Sequence, residues 1–291
     1  MILFWSEMKP SWIKSRVPAG FGMETKRTLQ NHGLNTVCVE AKCPNRGECW
    51  GCGTATFMVL GSVCTRNCGF CSVKTGVSGE AVSAGEPARL AKAVRELGLS
   101  YVVLTSVDRD DLADFGAGHY VECVNALKDL GGVRVEALTP DFGGDESLVG
   151  LVASSGLDVF AHNIETVERL SPKVRDARAG YGKSLKVLES AKDARVLTKS
   201  SILLGLGEEE DEVISAMEDL VCAGVDILVL GQYLQPTKKQ LEVRRYWSPE
   251  DFERLGDAGL ELGFKSVVAS PMARTSFKAK QVFEDLKSGA L

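Results

Sequence analysis

Charge imbalance is nearly missing from this 291-residue chain: 34 basic side chains face 39 acidic ones, a net −5, which leaves no cationic footprint for nucleic acid. Long apolar runs are missing too. Charged residues interrupt every hydrophobic stretch well short of the about 18 residues that a bilayer span needs. The opening MILFWSEMKPSWIKSR has only a short apolar run before Glu7 and Lys9, too brief for a signal peptide, and it lacks an Arg-rich transit pattern. A cytosolic protein is expected, with neither nucleic acid nor membrane as partner. Histidine is scarce: His32, His119 and His162 stand far apart without metal-ligand spacing, which favours structural roles. Internal repeats and low-complexity tracts are also lacking. What is present is 44% apolar content, enough to bury one large core, so one principal domain is the expectation.

Cysteine is abundant. Of nine, seven fall between Cys38 and Cys71. An odd number in a reducing compartment argues against a disulfide framework and for metal ligation. Cys123 and Cys222 lie outside the group, in apolar helical stretches where free cysteine behaves as a small buried hydrophobe.

From about residue 55 the chain alternates β-branched apolar runs with amphipathic segments. Strands are predicted at 55–61, 101–106, 133–138, 157–162, 196–205 and 226–231, with helices at roughly 87–98, 116–130, 145–155, 181–192 and 208–223. A run at 264–270 reads as an extra strand, whereas 1–54 and 271–291 read as extensions with little periodicity. Parallel strands joined by helical crossovers give an open doubly wound sheet or a full or partial barrel, and periodicity does not choose among them. In a barrel the strand C-termini gather function. Here those ends are polar: Thr105 to Asp111, Thr139 to Asp141, His162 to Glu165, and Gln232 with Tyr233. The Gly205–Leu206–Gly207 stretch is an incomplete dinucleotide motif and reads better as a tight turn.

Cys64, Cys68 and Cys71 stand in C-T-R-N-C-G-F-C directly after the first predicted strand. Three thiolates in one loop suit a [4Fe–4S] cube, leaving one iron open to chelate a small molecule. This three-then-two spacing is the signature of the radical S-adenosylmethionine superfamily, and Phe70 stands where that superfamily commonly places an aromatic. A zinc knuckle is the rival. The second set, Cys38, Cys43 and Cys49, has four and then five intervening residues, which suits a second cluster. Cys49 and Cys52 also form a C-x-x-C pair suited to a zinc ribbon or redox couple, so spacing leaves this set open.

Taken together these residues resemble the lipoyl synthase family. The likeness runs through K-P-S-W at 9–12, the second cysteine set, G-T-A-T-F-M at 53–58, C-T-R-N-C-G-F-C at 64–71, L-T-S-V-D-R-D-D-L at 104–112 and E-A-L-T-P-D-F at 136–142. It continues through A-H-N-I-E-T-V at 161–167, L-G-L-G-E at 204–208 and G-V-D-I-L-V-L-G-Q-Y-L-Q-P at 224–236. The resemblance implies an α/β fold, a partial (β/α)6 TIM-type barrel over 55–270. An N-terminal extension over 1–54 carries the auxiliary cysteines, and a C-terminal extension over 271–291 carries a serine cluster ligand. It implies a sulfurtransferase that inserts two sulfur atoms at C6 and C8 of a protein-bound octanoyl-lysine. Its implied cofactors are S-adenosylmethionine and two [4Fe–4S] clusters, the auxiliary one consumed as the sulfur source.

By the same resemblance, Cys64, Cys68 and Cys71 hold the radical-generating cluster, and Cys38, Cys43, Cys49 and Ser276 hold the auxiliary one. Thr105, Ser106, Glu136, Asn163, Glu165, Arg178 and Gln232 are candidate S-adenosylmethionine contacts, although Glu136 also suits an ion pair with Arg134 or a neighbouring lysine. Implied partners are an octanoylated lipoyl-carrier domain or H protein, an iron–sulfur carrier protein, and a ferredoxin or flavodoxin donor. Three positions depart from the family pattern. Arg274–Thr275–Ser276–Phe277 replaces Arg-Ser-Ser-Tyr, Phe115 stands where glycine is usual, and Cys52 has no counterpart and is taken as a bystander. A biotin-synthase-like sulfur-transfer enzyme and a non-catalytic iron–sulfur or zinc protein remain the alternatives.

Overall fold

Seven β-branched runs form parallel strands, and their hydrogen-bonded order follows the order of the chain. The computed structural model describes residues 9–13, 23–41, 43, 45–51 and 55–289; Cys52 lies outside them. The strands are β1 (Asn35–Thr36), β2 (Thr56–Val59), β3 (Tyr101–Ser106), β4 (Arg134–Leu138), β5 (Val159–Ala161), β6 (Leu197–Leu204), β7 (Ile227–Gln232) and β8 (Ser266–Ala269). They make one sheet in the order β1 to β8, parallel throughout except for β1, which pairs antiparallel with β2 at its edge. A doubly wound sheet reverses its strand order at a switch point; this sheet never does, and it is the wall of a partial barrel.

The helices are α1 (Met23–Asn31), α2 (Glu86–Glu96), α3 (Ala117–Lys128), α4 (Glu146–Ala153), α5 (Tyr181–Asp193), α6 (Glu210–Cys222), α7 (Pro249–Leu262) and α8 (Ala279–Ser288). Each of β2 to β7 is followed by one helix of α2 to α7, giving six β/α units, and β8 with α8 completes the wall. The first half packs on an apolar layer that includes Leu90, Tyr120, Leu127 and Phe160, and the second on one that includes Leu188, Met217, Leu220 and Phe252.

Besides α1, in the N-terminal extension, two helices lie where periodicity gave no signal. One is α7, opened by a Ser248 cap with Pro249 in the first turn and a reciprocal Asp251 bond. Its interior Gly256 and Gly259 blur the helical pattern, yet they are what lets the helix lie against Ala269 and Val267 of β8. The other is α8, whose Ala279, Val282 and Phe283 plug the N-terminal end of the barrel beneath Tyr101, Val103, Val159 and Ile227. Cys123 is buried as expected, but Cys222 is exposed at the end of α6. The Gly205–Gly207 stretch is indeed a turn. Both glycines adopt positive φ, 107° and 112°, and the Glu208 carboxylate accepts from the Gly205 and Leu206 N–H groups.

Inside the barrel, Glu136 of β4 accepts from Tyr101 Oη at 2.7 Å and from Lys199 Nζ of β6 at 2.9 Å, with both charged side chains at most 2% exposed. Glu136 therefore fills the barrel interior and lines neither cavity described below; of its two readings, the ion pair is the one realised. Removing one member of such a pair leaves a charge buried and unpaired. Lys199→Met is expected to lower stability by about 3–5 kcal/mol, and adding Glu136→Leu to recover most of that loss. Thermal unfolding of the two variants checks this.

Candidate active site

The first cysteine set sits in the loop that leaves β2. After Val59 the chain turns through positive φ at Leu60 (68°) and Gly61 (88°), fixed by the buried Glu86 carboxylate, which accepts from Leu60 N–H at 3.0 Å. Val63–Cys64 then pairs with Lys74–Thr75 in a small ribbon that closes the loop. Every turn of this loop is tied to the barrel mouth. Gly69 N–H donates to Val174 O, Leu241 N–H donates to Gly69 O, and Gln240 Nε2 donates to Cys71 O. The Cys64 sulfur accepts from the N–H groups of Arg66 and Asp108 at 3.4 and 3.3 Å, and the Cys68 sulfur accepts from Asp176 N–H at 3.4 Å. Hydrogen bonds of this kind stabilise thiolates and tune an iron–sulfur cluster. Without a metal, burial is the main reason the thiols are pushed up, to about 12 for Cys64, 12 for Cys68 and 11 for Cys71, so ligation must displace protons.

Arg66, within the cysteine motif, anchors the loop electrostatically. Its guanidinium donates to Asp141 at 2.7 and 2.8 Å and to Asp110 at 2.8 Å, and lies 3.3 Å from Asp108. Burial raises the Asp110 and Asp141 carboxyls, but the Arg66 hydrogen bonds outweigh it and hold both below the usual range. Asp108, buried beside Cys64, goes the other way: burial lifts its carboxyl and Arg66 only partly offsets the rise. The Asp108–Asp111 stretch is thus an ion-paired strut rather than a solvated loop, with Arg109 bonded to Asp111 and to Leu60 O.

The three cysteines line a cavity of about 260 Å³ at the C-terminal ends of the strands. Thr105, Ser106, Asn163 and Glu165 line it with them, as do Asp108 and Arg175. Besides Glu136, two predicted contacts do not. Arg178 is half exposed and spends its donors on Asp176, Thr65 O and Asp110. Gln232 is fully buried; its Nε2 donates to Leu204 O, Tyr233 O and Arg245 O, and its Oε1 accepts from Trp247 N–H. Arg175, three residues before Arg178, lines the cavity instead, along with Arg66, and is held by a 2.9 Å bond to Ser184 Oγ. Spacing alone has no way to rank two arginines so close together. His162 also lines the wall, but both ring nitrogens are engaged, with Thr139 O and Ser184 Oγ. Burial, reinforced by Arg175, lowers it to about 4, so it is neutral.

A second cavity, about 380 Å³, abuts the first across Phe70, Cys71, Leu138 and Glu165. Cys38, Cys43 and Cys49 line it together with Arg274, Thr275 and Ser276. Cys38 starts a helical turn capped by Thr36, Cys43 N–H donates to Cys38 O, and Cys49 N–H donates to Asn45 O. Asn45 Nδ2 donates to Met272 O, which docks the N-terminal cysteine segment onto the C-terminal one. Gly231 of β7 lets the C-terminal segment lie close on the barrel, since a Cβ there would collide with the Ala273 carbonyl oxygen. Among the described residues, no three His, Cys, Asp or Glu side chains converge on a single ion-sized point. Thiols spread along a cavity wall suit the separate corners of a cube better than one zinc ion.

Comparison with known proteins agrees with this geometry. The family model described as the radical SAM superfamily matches residues 58–220. A lipoyl synthase of Halorhodospira halophila is 57% identical over 95% of this chain and 84% of its own length. One from Thermus thermophilus is 54% identical over 94% and 86%, and one from Methanocella arvoryzae is 53% identical over 94% of each. The chain belongs to the lipoyl synthase family.

Its fold is shared more widely. The hydrogenase maturase HydG superposes with a TM-score of 0.60 at 14% identity over 79% of this chain and 54% of that one. Methylornithine synthase (PylB) superposes at 0.52 and 15% identity over 81% and 82%. As a radical SAM lipoyl synthase the chain uses S-adenosylmethionine and a [4Fe–4S] cluster, and the first cavity fits that pair. It has three thiols with N–H donors aimed at two of their sulfurs, and beside them Asn163 Oδ1 is buried without a partner. The departure at Phe115 has a local consequence: Phe115 takes a positive φ of 53°, where glycine is unstrained, and its ring lies over Gly143, which offers no side chain to clash.

Proposed function

We propose that the two abutting cavities divide lipoyl synthesis between them, the first for radical generation and the second for the sulfur source. The carrying observation is the convergence of Cys38, Cys43, Cys49 and Ser276 on one cavity, sharing a wall with the cavity of Cys64, Cys68 and Cys71. Sulfur insertion at two unactivated carbons of an octanoyl chain needs a hydrogen acceptor and a sulfur donor within reach of the same carbons. When bound, S-adenosylmethionine and its cluster supply a carbon-centred radical, and an auxiliary [4Fe–4S] cluster supplies the sulfur. The residues of this chain bind, orient and shield. Cys64, Cys68 and Cys71 hold the first cluster, while Thr105, Ser106, Asn163, Glu165 and Arg175 hold S-adenosylmethionine beside it. Cys38, Cys43, Cys49 and Ser276 hold the auxiliary cluster. A serine oxygen would be a harder and weaker ligand than the three thiolates, and so the easiest of the four to displace. Phe70 and Leu138, on the shared wall, keep the path between the two apolar and dry.

The substrate is an octanoylated carrier protein, taken as a lipoyl domain or H protein. An iron–sulfur carrier restores the auxiliary cluster, and a ferredoxin or flavodoxin supplies electrons. The test is anaerobic reconstitution with reductant, S-adenosylmethionine and an octanoyl-lysyl peptide, following peptide mass and 5′-deoxyadenosine together. The expected result is 5′-deoxyadenosine together with a peptide that has exchanged two hydrogens for two sulfurs. Deoxyadenosine without sulfur gain would leave a radical enzyme and remove the lipoyl assignment.

A further inference from the structure

Asn163 stands at the junction of the two cavities and has spent both of its donors inside the protein. Its Nδ2 donates to Glu165 Oε1 at 3.1 Å and to Thr275 Oγ1 at 3.0 Å, while Oδ1 is buried with no partner. Asn163 lines the first cavity and Thr275 the second, so one hydrogen bond joins the walls of the two. Its carbonyl end is a ready acceptor for an N–H or O–H of whatever occupies the first cavity, since a buried carbonyl without a partner is costly. Its donor end holds the residue next to Ser276. The turn that carries both is tight, closed by Phe277 N–H donating to Arg274 O at 2.7 Å, so a shift at Thr275 is passed to Ser276.

We infer that Thr275 is a positioning residue that couples S-adenosylmethionine in the first cavity to the hold of Ser276 in the second. The inference rests on the functional reading above. When the Asn163 carbonyl is engaged by ligand, the amide plane is fixed, Thr275 is held and Ser276 is kept on its iron. When S-adenosylmethionine is consumed, the amide is released and Ser276 is freer to leave. Coupling of this kind is reciprocal, so loss of Ser276 contact must weaken S-adenosylmethionine binding by the same factor.

The test uses the full chain with both clusters and reads iron accessibility, not turnover. A ferrous chelator is added anaerobically, and the rate of release of the first iron is measured with and without S-adenosylmethionine, with Ser276→Ala as the reference for the protection that S-adenosylmethionine itself gives the open iron of the first cluster. Wild type is expected to release it about fivefold more slowly with S-adenosylmethionine, a coupling of ordinary size. Thr275→Val, which keeps the shape and loses the acceptor, should show no more slowing than Ser276→Ala, and Thr275→Ser should restore the wild-type difference. Thr275→Ala repeats the comparison without packing conflict. A Thr275→Val protein that still shows the wild-type slowing overturns the coupling, as does a Thr275→Ser protein that fails to recover it. Iron content separates this from failure of the underlying reading. If Cys38→Ala carries as much iron as wild type, the auxiliary site itself is misassigned, whereas a halved content with unchanged chelation kinetics removes only the role of Thr275.

Discussion

Replacing Arg66 by methionine is expected to destabilise the metal-free protein by about 3–5 kcal/mol, because the change strips the partner from a buried cluster of carboxylates. Asp141 is fully buried and Asp110 partly so, and both hydrogen-bond to Arg66. The effect has a pH signature. Asp110 and Asp141 titrate below their unfolded range, so their contribution is complete above the unfolded value of about 3.9 and is lost as pH falls through the lowered folded values. Asp108 is raised, so its contribution has the opposite sign, favouring the fold at low pH and fading as pH rises. Thermal unfolding between pH 3 and pH 7 should show wild type losing stability towards the acid end (roughly the window of these carboxylates), with Arg66→Met starting lower and falling less. Equal slopes for the two proteins would mean that Arg66 is not what lowers these carboxyls. Because the same side chain anchors the loop between Cys64 and Cys68, the variant should also take up less iron on reconstitution.

The second large effect separates the two cysteine sets. Cys64→Ala should abolish both 5′-deoxyadenosine and lipoyl product, since it removes one of the three thiols proposed to hold the first cluster. Cys38→Ala should leave deoxyadenosine formation measurable and abolish sulfur gain, and its iron should fall from about eight to about four per chain. Cys38 stands on a helical turn capped by Thr36 in the N-terminal segment and takes no part in the N–H bonds to the Cys64 and Cys68 sulfurs, so its loss leaves those bonds in place. Lipoylation by Cys38→Ala would show that the second cavity is not the sulfur source.

The parts of this molecule that were legible in advance are those with local causes. Each β-branched run became a strand because its neighbours in sequence are also its neighbours in the sheet, and Cys64, Cys68 and Cys71 declared themselves by spacing within one loop. The second cavity had no such signature. Cys38, Cys43 and Cys49 meet Ser276 only because Asn45 bonds Met272, a pairing that spans most of the chain. Until that contact is known, a zinc ribbon reads as well as a cluster. Glu136 and Gln232 misled for a related reason. A polar residue on a strand faces either the mouth or the barrel interior, and its partner, Lys199 in one case and the Arg245–Trp247 backbone in the other, lies on another element. The helix α7 was hidden by the glycines that let it pack closely, although S-P-E-D at 248–251 is a usable start signal.

The most direct test of the two-cavity account is the origin of the inserted sulfur. Protein is reconstituted with isotopically heavy sulfide, freed of excess, and allowed to react with the octanoyl-lysyl peptide in the presence of ordinary sulfide. The account predicts that both sulfur atoms of the product are heavy and that product stops at about one per chain without a resupplying partner, since one auxiliary cluster serves one product. Light sulfur in the product, or sustained turnover without resupply, would contradict it.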